Sequence, residues 1–434
     1  MTEDFVIDQS HKSFPFAAAP LLASEMARRG WNLFDLPFAL PLAVIHRSAL
    51  EHNLGWMQEF ARAKGVCLAP HGKTTMSPEI FRMQLNHGAW GLSFATLFQA
   101  RVGVKAGAEQ IIIANQVIAP TDFANIDQLL ADYPRLKIYF LVDSLEQLSQ
   151  LNQWRQNHPA AAQERWGLLV ELGVAGKRSG CRTVAAALQL ARRIAGTAGL
   201  RLCGIEVYEG VVVTGASVSD QPAVATLMAE VTSLVQQCDR EGLFAEPEIL
   251  LTAGGSAVFD LVIPALAQQS PANRGLSRPV RGVLRSGCYV IHDHGHYHRL
   301  LEQLEAREGL SDSLRPALTV WTMVQSVPEP GLALLTCGRR DISYDLELPI
   351  PQAIIRRGSR SKNPLPVEWR MTALNDQHGF LNYPPEPVSE FGPPQVGDVV
   401  ILGISHPCTT FDKWRWLVLA EDDGTVCGAI RTVF

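Results

Sequence analysis

Hydrophobic residues follow two alternating patterns along most of this chain. From about residue 40, short apolar runs of the kind found in buried strands alternate with segments of helical spacing, such as Ser48 to Lys64. One strand is predicted at Leu42–His46, and eight more are predicted to begin near Val66, Trp90, Gln110, Lys137, Trp166, Arg201, Glu248 and Gly282. Eight strands with intervening helices over roughly 250 residues favour an α/β fold, a parallel (β/α)₈ barrel rather than an open doubly wound sheet.

The pattern changes after about residue 300. Proline and glycine become frequent, helical periodicity is poor, and strand-like runs occur at Ala317–Val324 and Leu332–Thr336. A second, mainly β domain is therefore expected, and within it the polar, basic segment Ile354–Pro366 is interpreted as a mobile loop. The predicted organisation is an N-terminal segment packing on the β domain, a barrel and the β domain, at residues 1–40, 41–300 and 301–434.

Composition narrows the class of protein. The chain has 434 residues, 47% of them hydrophobic and 19% charged, which is typical of a soluble protein with a large core. A net charge of −5 leaves no basic field for nucleic acid. The acidic N-terminus lacks the basic start and apolar run of a signal peptide, and no stretch approaches 18 uninterrupted apolar residues. We therefore expect a cytoplasmic protein with no membrane partner.

The eight cysteines lie far apart and form no CxxC pair. Neither a disulfide framework nor a four-cysteine zinc site is indicated. Most are expected to be small core residues, with Cys408 as a candidate exception.

The first candidate for chemistry is Lys73, in the segment CLAPHGKTT at residues 67–75. It follows the first barrel strand, so its side chain is expected to face the barrel mouth. Desolvation between barrel walls lowers the pKa of a lysine and gives a neutral amine that attacks aldehydes. From spacing alone, a lysine of a surface loop is the simpler interpretation.

The segment LTAGGSA at residues 251–257 ends the seventh barrel strand. Paired glycines let backbone N–H groups approach a phosphate, and Ser256 adds a hydroxyl ahead of a predicted helix. Most Gly-Gly-Ser turns are ordinary turns, but barrels commonly bind phosphate after strands 7 and 8. Arg285 and Gly287, after strand 8, would face the same mouth; Arg285 suits either a cofactor ring or a structural ion pair.

His406 and Cys408 are two residues apart in a predicted extended loop, ISHPCTTFDKW at 404–414. Residues i and i+2 of an extended chain point the same way, so the two side chains could share one Zn²⁺ and leave positions open. The rival metal candidate is HDHGHYH at 292–298, which is also compatible with a solvated loop. Asp293 or a nearby histidine is a candidate for the substrate entrance.

Together these segments resemble the fold-type III pyridoxal-phosphate (PLP) enzymes, in particular the D-serine dehydratase/D-threonine aldolase family with its alanine-racemase barrel. The resemblance runs from about Leu40 to the C-terminus. It rests on five motifs in order: PHGKT (70–74), GIEVYEG (204–210), TAGGS (252–256), RSGCYV (285–290) and HPC (406–408).

By that resemblance Lys73 carries PLP as a Schiff base and is catalytic, with His71 beside it and Tyr208 near the ring as a second catalytic residue. Arg178 falls where the family has an arginine after the fifth strand, although extra residues precede it here. The remaining implied cofactor-binding residues are Thr252 and Arg285, with Gly254, Gly255, Ser256, Gly287 and Cys288 around the phosphate.

The His406/Cys408 pair is similar to the zinc site of eukaryotic-type D-serine dehydratases, whereas the aldolase branch has aspartate at the cysteine position. Cys408 therefore favours dehydration. The segments QSVPEPG (325–331) and GRRDIS (338–343) resemble a bacterial branch termed cryptic D-serine deaminase. The resemblance also implies a homodimer in which the β domain of one subunit closes the barrel of the other.

The implied activity is a PLP- and metal-dependent lyase that converts D-serine or a related D-β-hydroxy amino acid to a 2-oxo acid and ammonia. One alternative is a metal-dependent aldolase that releases glycine and an aldehyde from D-threonine-like substrates. A racemase is less supported, because no second tyrosine base is identified. A PLP-binding carrier without turnover is the alternative from another class.

Overall fold

The computed structural model describes residues 4–159, 161–267, 275–385 and 392–434. The predicted domain ranges also include residues 1–3, 160, 268–274 and 386–391, which lie outside the described residues.

The chain begins with a small antiparallel pair, β1 (Val6–Ile7) and β2 (Leu21–Leu22), followed by β3 (Leu42–His46) and helix α1 (Arg47–Ala63). Apolar side chains before β3, including Phe14 and Met26, share a buried cluster with Trp321 and Trp416 of the second domain. The N-terminal segment thus covers one face of the β domain.

The barrel follows. Its strands are β4 (Cys67–Leu68), β5 (Leu92–Phe94), β6 (Gln110–Gln116), β7 (Lys137–Val142), β8 (Trp166–Leu172), β9 (Leu202–Val207), β10 (Ile249–Ala253) and β11 (Val280–Leu284). All eight begin within two residues of their predicted positions. They form one parallel sheet, and hydrogen bonds from the N–H groups of Trp90 to Leu68 O (2.8 Å) and of Ser93 to Pro70 O (3.0 Å) join its two ends. The predicted α/β barrel is confirmed.

Alternating side chains of each strand build two separate cores. In β6, Ile112 belongs to a cluster inside the barrel with Leu141 and Val283, whereas Ile111 and Ile113 face the surrounding helices. This alternation follows from the two-residue repeat of a strand. Both faces are buried, which explains the uninterrupted apolar runs in the sequence.

Helices connect the strands: α2 (Pro78–Asn86), α3 (Leu97–Lys105), α4 (Pro120–Asp132), α5 (Leu145–Asn157), α6 (Val184–Ala195), α7 (Ser217–Arg240), α8 (Phe259–Leu266) and α9 (His296–Glu308). The hydroxyls of Thr96, Ser144 and Thr183 accept N–H groups three residues further on, at 3.1 to 3.3 Å. These N-caps satisfy backbone donors that would otherwise lack partners, and so set where the helices begin.

The second domain is a mainly antiparallel sheet. Its strands are β12 (Leu318–Glu329), β13 (Leu332–Leu335), β14 (Ile350–Ile355), β15 (Asn363–Pro364), β16 (Arg370–Leu374), β17 (Gly379–Asn382), β18 (Val399–Gly403), β19 (Trp416–Ala420) and β20 (Val426–Arg431). A short helix, α10 (Pro407–Phe411), lies between β18 and β19. The predicted mainly β domain is confirmed.

Two predictions about these elements are wrong. Leu42–His46 is a strand, but it pairs with β12 and β19 of the second sheet and so does not belong to the predicted barrel range 41–300. Ile354–Pro366 is not a loop throughout: its first residues end β14, and Asn363–Pro364 pairs with that strand. The partners of Leu42–His46 are distant in sequence, whereas Asn363–Pro364 pairs with Ala353 and Ile354 nearby in the chain. Local polarity reveals neither pairing.

Candidate active site

Lys73 lies in a single 3₁₀ turn, Gly72–Thr74, directly after β4 at the barrel mouth. Gly72 permits this turn, because a Cβ at that position would overlap the rings of Phe94 and Phe81. The Lys73 side chain is exposed. The expected burial of Lys73 between the barrel walls is therefore not found, since the turn raises the lysine onto the open end of the barrel.

His71 stands beside this lysine. Its Nδ1 accepts a hydrogen bond from the backbone N–H of Lys73 at 3.4 Å. Burial, followed by the positive charges of Lys73, Arg285 and Arg178, lowers the pKa of His71 well below its usual value. The imidazole is therefore neutral near pH 7.

Tyr208 and Arg178 form one wall of the mouth. The Arg178 guanidinium carbon is 4.4 Å from the centre of the Tyr208 ring, and the arginine is exposed. Such a contact between a cation and an aromatic face is favourable. Burial and the neighbouring Glu209 carboxylate raise the pKa of the Tyr208 phenol, so it remains protonated. The predicted placement of Arg178 and Tyr208 at one site is thus found.

The Gly-Gly-Ser turn is held from below by Glu209. This buried carboxylate accepts the backbone N–H groups of Gly254 (3.0 Å) and Gly255 (2.6 Å). The two N–H groups expected to face a phosphate are therefore already bonded. Gly254 has a φ of +93°, a left-handed conformation that favours glycine.

Ser256 contacts the segment that follows β11. Its Oγ accepts the backbone N–H groups of Gly287 (3.3 Å) and Cys288 (3.1 Å), and its hydroxyl also hydrogen-bonds the Cys288 thiol, which helps to lower the pKa of that thiol. Gly287 must be glycine, because a Cβ there would overlap the backbone oxygen of His71. The ends of β4, β10 and β11 thus meet at one point of the mouth.

Arg285 lies deeper, at 5% exposure. It donates to Thr252 Oγ1 at 2.8 Å and to Glu206 Oε1. Both interpretations of Arg285 are thus compatible with the structure: it is ion-paired, and it lies under the mouth. Burial raises the pKa of Glu206 to about 7, against the opposing effect of Arg285. The second oxygen of Glu206 is buried and without a hydrogen-bond partner among the described residues.

These residues fit PLP. An exposed primary amine suits the cofactor aldehyde, and a hydroxyl next to backbone N–H groups suits the phosphate. The Glu206 oxygen that has no partner among the described residues suits a buried polar donor. Lys73 and Ser256 would hold its two ends, with Tyr208 and His71 at the sides.

Cys408 comes from the β domain and reaches the same mouth. Its thiol lies 3.5 Å from Thr74 Oγ1 and 3.7 Å from the sulfur of Cys288. Hydrogen bonding from Cys408 lowers the pKa of Cys288 to about 6, against the effect of burial, and the same contact raises the pKa of Cys408. The predicted extended loop is wrong at this point, because Cys408 lies in the first turn of α10.

His406 is the residue just before that helix. Its Nδ1 is 2.7 Å from Asp345 Oδ2 and 3.2 Å from Thr409 Oγ1, and its Nε2 has no hydrogen-bond partner in the part of the chain that the structure describes. A carboxylate on one ring nitrogen is the usual support of a metal-binding histidine. With Cys408, this nitrogen–sulfur donor pair suits zinc. Within the described ranges, no group of three or more His, Cys, Asp or Glu side chains is placed to hold a metal ion.

The rival segment, residues 292–298, is not a solvated loop. His292 and Asp293 are buried, and Asp293 accepts the N–H groups of Gly295, Tyr297 and His298 at the start of α9. The Asp293 carboxylate therefore serves as a helix cap, which accounts for its burial without a metal.

Several residues of the site were not identified from the sequence. Thr74 touches both cysteines, Glu209 holds the Gly-Gly turn, and Asp345 orients His406. Tyr297 lies nearby, its ring 6.3 Å from that of His406, and the Cys288 thiolate and burial raise its pKa. Glu209 stands inside a recognised motif and could have been proposed from it; the partner of His406 could not, because Asp345 is 61 residues away.

Comparisons with known proteins identify the family of the chain. The alanine racemase N-terminal domain family matches residues 45–266, and a serine dehydratase domain family matches residues 317–420. Since the first match spans half of the chain, the chain belongs to the alanine racemase-like, fold-type III PLP family.

Individual proteins of known function are similar to this chain at low sequence identity. The chain is 28% identical over 382 residues to a D-threonine aldolase of an Arthrobacter species, covering 88% of this chain and 89% of that protein. It is 28% identical over 256 residues to the D-threo-3-hydroxyaspartate dehydratase of Delftia sp. HT23, covering 58% and 61%. The crystal structure of D-threonine aldolase from Filomicrobium marinum superposes with a TM-score of 0.73 at 22% identity, over 93% of this chain and 97% of that one.

None of the helices in the described ranges has the length and apolar character needed to cross a membrane.

Proposed function

We propose that this protein is a PLP-dependent lyase that eliminates water from D-serine or a related D-β-hydroxy amino acid and releases a 2-oxo acid and ammonia. One observation carries the proposal. The Cys408 thiol of the β domain contacts Thr74, the residue next to Lys73, so the candidate metal ligand and the candidate cofactor lysine share one site.

PLP, when bound, supplies an electron sink that acidifies the Cα–H bond of an amino acid. The chain's own contribution is position and proton transfer. Lys73 would hold the cofactor and, once displaced by the substrate, its Nζ would take the Cα proton. The neutral His71 beside it adds no charge that would compete for this proton.

The remaining mouth residues orient the reactants. Arg178 is an exposed cation in the mouth and suits the substrate carboxylate. The Arg285–Glu206 pair beneath it is buried and fixed by Thr252, so the floor is polar yet closed to water.

Hydroxide is a poor leaving group near pH 7. A divalent metal, which we propose is Zn²⁺ held by His406 and Cys408, would supply Lewis-acid polarisation of the β-hydroxyl. Asp345 fixes the His406 ring for this purpose. Dehydration is preferred because position 408 is a cysteine, whereas the resemblance implies an aspartate there for the aldolase branch.

A metal-dependent aldolase is the second candidate, because the Arthrobacter match is to a D-threonine aldolase and spans 88% of this chain. The same lysine and metal ligands would serve cleavage of the Cα–Cβ bond. The two reactions differ in products, ammonia and oxo acid against glycine and aldehyde.

The decisive experiment incubates PLP-loaded protein with D-serine, D-threonine and 3-hydroxy-D-aspartate, with and without EDTA, and with the L-enantiomers as controls. Ammonia and oxo acid that disappear with EDTA and in Cys408→Ala would support the dehydratase. Cys427→Ala, a half-buried cysteine of β20 outside the mouth, is the matched control. Glycine with aldehyde would replace the proposal by the aldolase, and no product from any D-amino acid would favour the carrier.

We further propose a homodimer working in the cytoplasm. Three exposed apolar side chains, Phe98, Ile118 and Val218, follow the C-terminal ends of barrel strands and could be covered by a second subunit. Light scattering after size exclusion tests this directly: a monomeric mass at micromolar concentration would overturn it.

A further inference from the structure

The barrel and the β domain each place one cysteine at the mouth. Cys288 follows β11 in the barrel and is 5% exposed, and Cys408 is a half-buried residue of α10. Their sulfur atoms are 3.7 Å apart although the residues are 120 positions apart in the chain. To form a disulfide the two sulfurs would have to close from 3.7 Å to about 2.05 Å.

Thr74 supports the same pairing. Its hydroxyl lies 3.5 Å from Cys408 Sγ and 3.7 Å from Cys288 Sγ, so it holds both sulfurs from one side. By contrast, the half-buried Cys67 contacts the Arg281 guanidinium, and Cys427 donates to the backbone oxygen of Leu419. Cys288 and Cys408 are therefore placed against each other, and their proximity does not follow from sequence.

We propose that Cys288 and Cys408 are a reversible oxidation site, and that their disulfide links the barrel to the β domain across the mouth. The oxidant is a hydroperoxide such as hydrogen peroxide. Either sulfur, once deprotonated, attacks the peroxide and becomes a sulfenic acid, with release of one water. The sulfur of the other cysteine then attacks this sulfenic sulfur, the S–O bond breaks, and a second water leaves. Two thiols lose two electrons in total, and the peroxide gains them.

The disulfide has two consequences for the site. It removes Cys408 as a metal ligand, a consequence that rests on the proposed function. It also shifts Cys288, whose backbone N–H donates to Ser256 Oγ at 3.1 Å. The shift disturbs the candidate phosphate contacts. Reduction by a dithiol restores both.

The test uses full-length protein loaded with PLP and zinc, treated with hydrogen peroxide, alkylated and digested with trypsin without reduction. Trypsin places Cys288 in the peptide Ser286–Arg299 and Cys408 in Met371–Lys413, each with a single cysteine. We expect one linked peptide pair, two hydrogens lighter than the sum, that disappears with dithiothreitol. Titration of the unfolded protein should fall from eight free thiols to six.

Cys288→Ser and Cys408→Ser should each abolish the linked peptide, while Cys67→Ser and Cys427→Ser retain it. The proposal is overturned by a different cysteine pairing, or by Cys288 and Cys408 still unpaired when other thiols are oxidised. Zinc is measured in parallel. A disulfide that forms while zinc stays bound upholds the oxidation site and refutes Cys408 as a ligand, so the two proposals fail separately.

Discussion

The two ends of the barrel differ in how their charged groups are paired. A cavity of about 290 Å³ opens at the N-terminal end, lined by Lys137, Tyr139, Glu248 and Arg281 among others. There Arg281 Nε lies 2.6 Å from Glu248 Oε2, both partly exposed. At the C-terminal end Glu206 keeps a buried oxygen that has no partner among the described residues, and Lys73 has an exposed amine. Most of the charges around the hollow at the N-terminal end are paired, as Arg281 is with Glu248, whereas the mouth keeps an exposed amine and an unmet acceptor.

The largest difference between the two ends of the barrel is expected in the turnover rate, when Lys73 or Lys137 is replaced. Lys73→Ala should lower the rate of D-amino acid turnover by at least about 10³-fold, because the proposed proton acceptor is lost. Lys137→Ala, at the other end, should leave the rate unchanged. Turnover by coupled ammonia assay and the absorbance of bound cofactor check both variants. If the two variants lose the same fraction of the turnover rate, the proposed position of the active site is wrong.

The ion pairs at the two ends of the barrel should differ in how much they contribute to the free energy of unfolding. Arg285→Ala leaves the Glu206 carboxylate buried without its partner, and removing one member of a buried pair costs about 3 to 5 kcal/mol of unfolding free energy. Arg281→Ala breaks a partly exposed pair, for which about 1 kcal/mol or less is expected. Urea unfolding followed by fluorescence measures both; a similar cost at the two ends would contradict the comparison.

A histidine next to the mouth should make the fold acid-sensitive. Burial, with smaller contributions from His298 and His294, lowers the pKa of His292 to about 3. Below about pH 6.5 the unfolded chain therefore binds a proton that the folded chain does not, and stability falls as pH falls. Between pH 6.5 and 4.5 the loss from this residue is about 2 to 3 kcal/mol.

His292→Asn should therefore unfold with a weaker dependence on pH in that range. Asparagine stays neutral and tolerates the left-handed backbone at this position, where φ is +48°. The exposed His87→Asn serves as the control and should keep the wild-type pH dependence. If the His292 variant and wild type lose stability in parallel on acidification, the burial argument is wrong.

The smallest effect is expected for the carboxylate below the Gly-Gly turn. In Glu209→Gln one acceptor oxygen becomes an NH₂ group, so one buried N–H of Gly254 or Gly255 loses its partner at a cost of about 1 to 3 kcal/mol. Since that turn leads to Ser256, PLP affinity should fall roughly tenfold. Glu248→Gln at the opposite end should bind PLP as the wild type does. Fluorescence titration of the apoprotein with PLP measures both affinities. Unchanged PLP binding in Glu209→Gln would show that the Gly-Gly turn does not contribute to cofactor binding.

Much of the barrel was predictable. The eight strands begin within two residues of their predicted positions because buried parallel strands are continuous apolar runs. Helix α1, predicted from Ser48 to Lys64, spans Arg47–Ala63. It was predictable because its apolar residues recur at helical spacing. The chain order of the strands also places residues that follow them, such as Lys73 and Arg285, at a common mouth.

The amino-acid sequence alone thus determined the repeating secondary structure, the barrel and the end of it that carries the reactive side chains, since these depend on local periodicity and chain order. Tertiary structure decided which groups meet: Cys288 with Cys408, Glu209 with Gly254, and Leu42–His46 with the second sheet. Such pairs are 45 to 120 or more positions apart. Local pattern carries no information on them, because their contact depends on how distant segments pack within the barrel and between the barrel and the β domain.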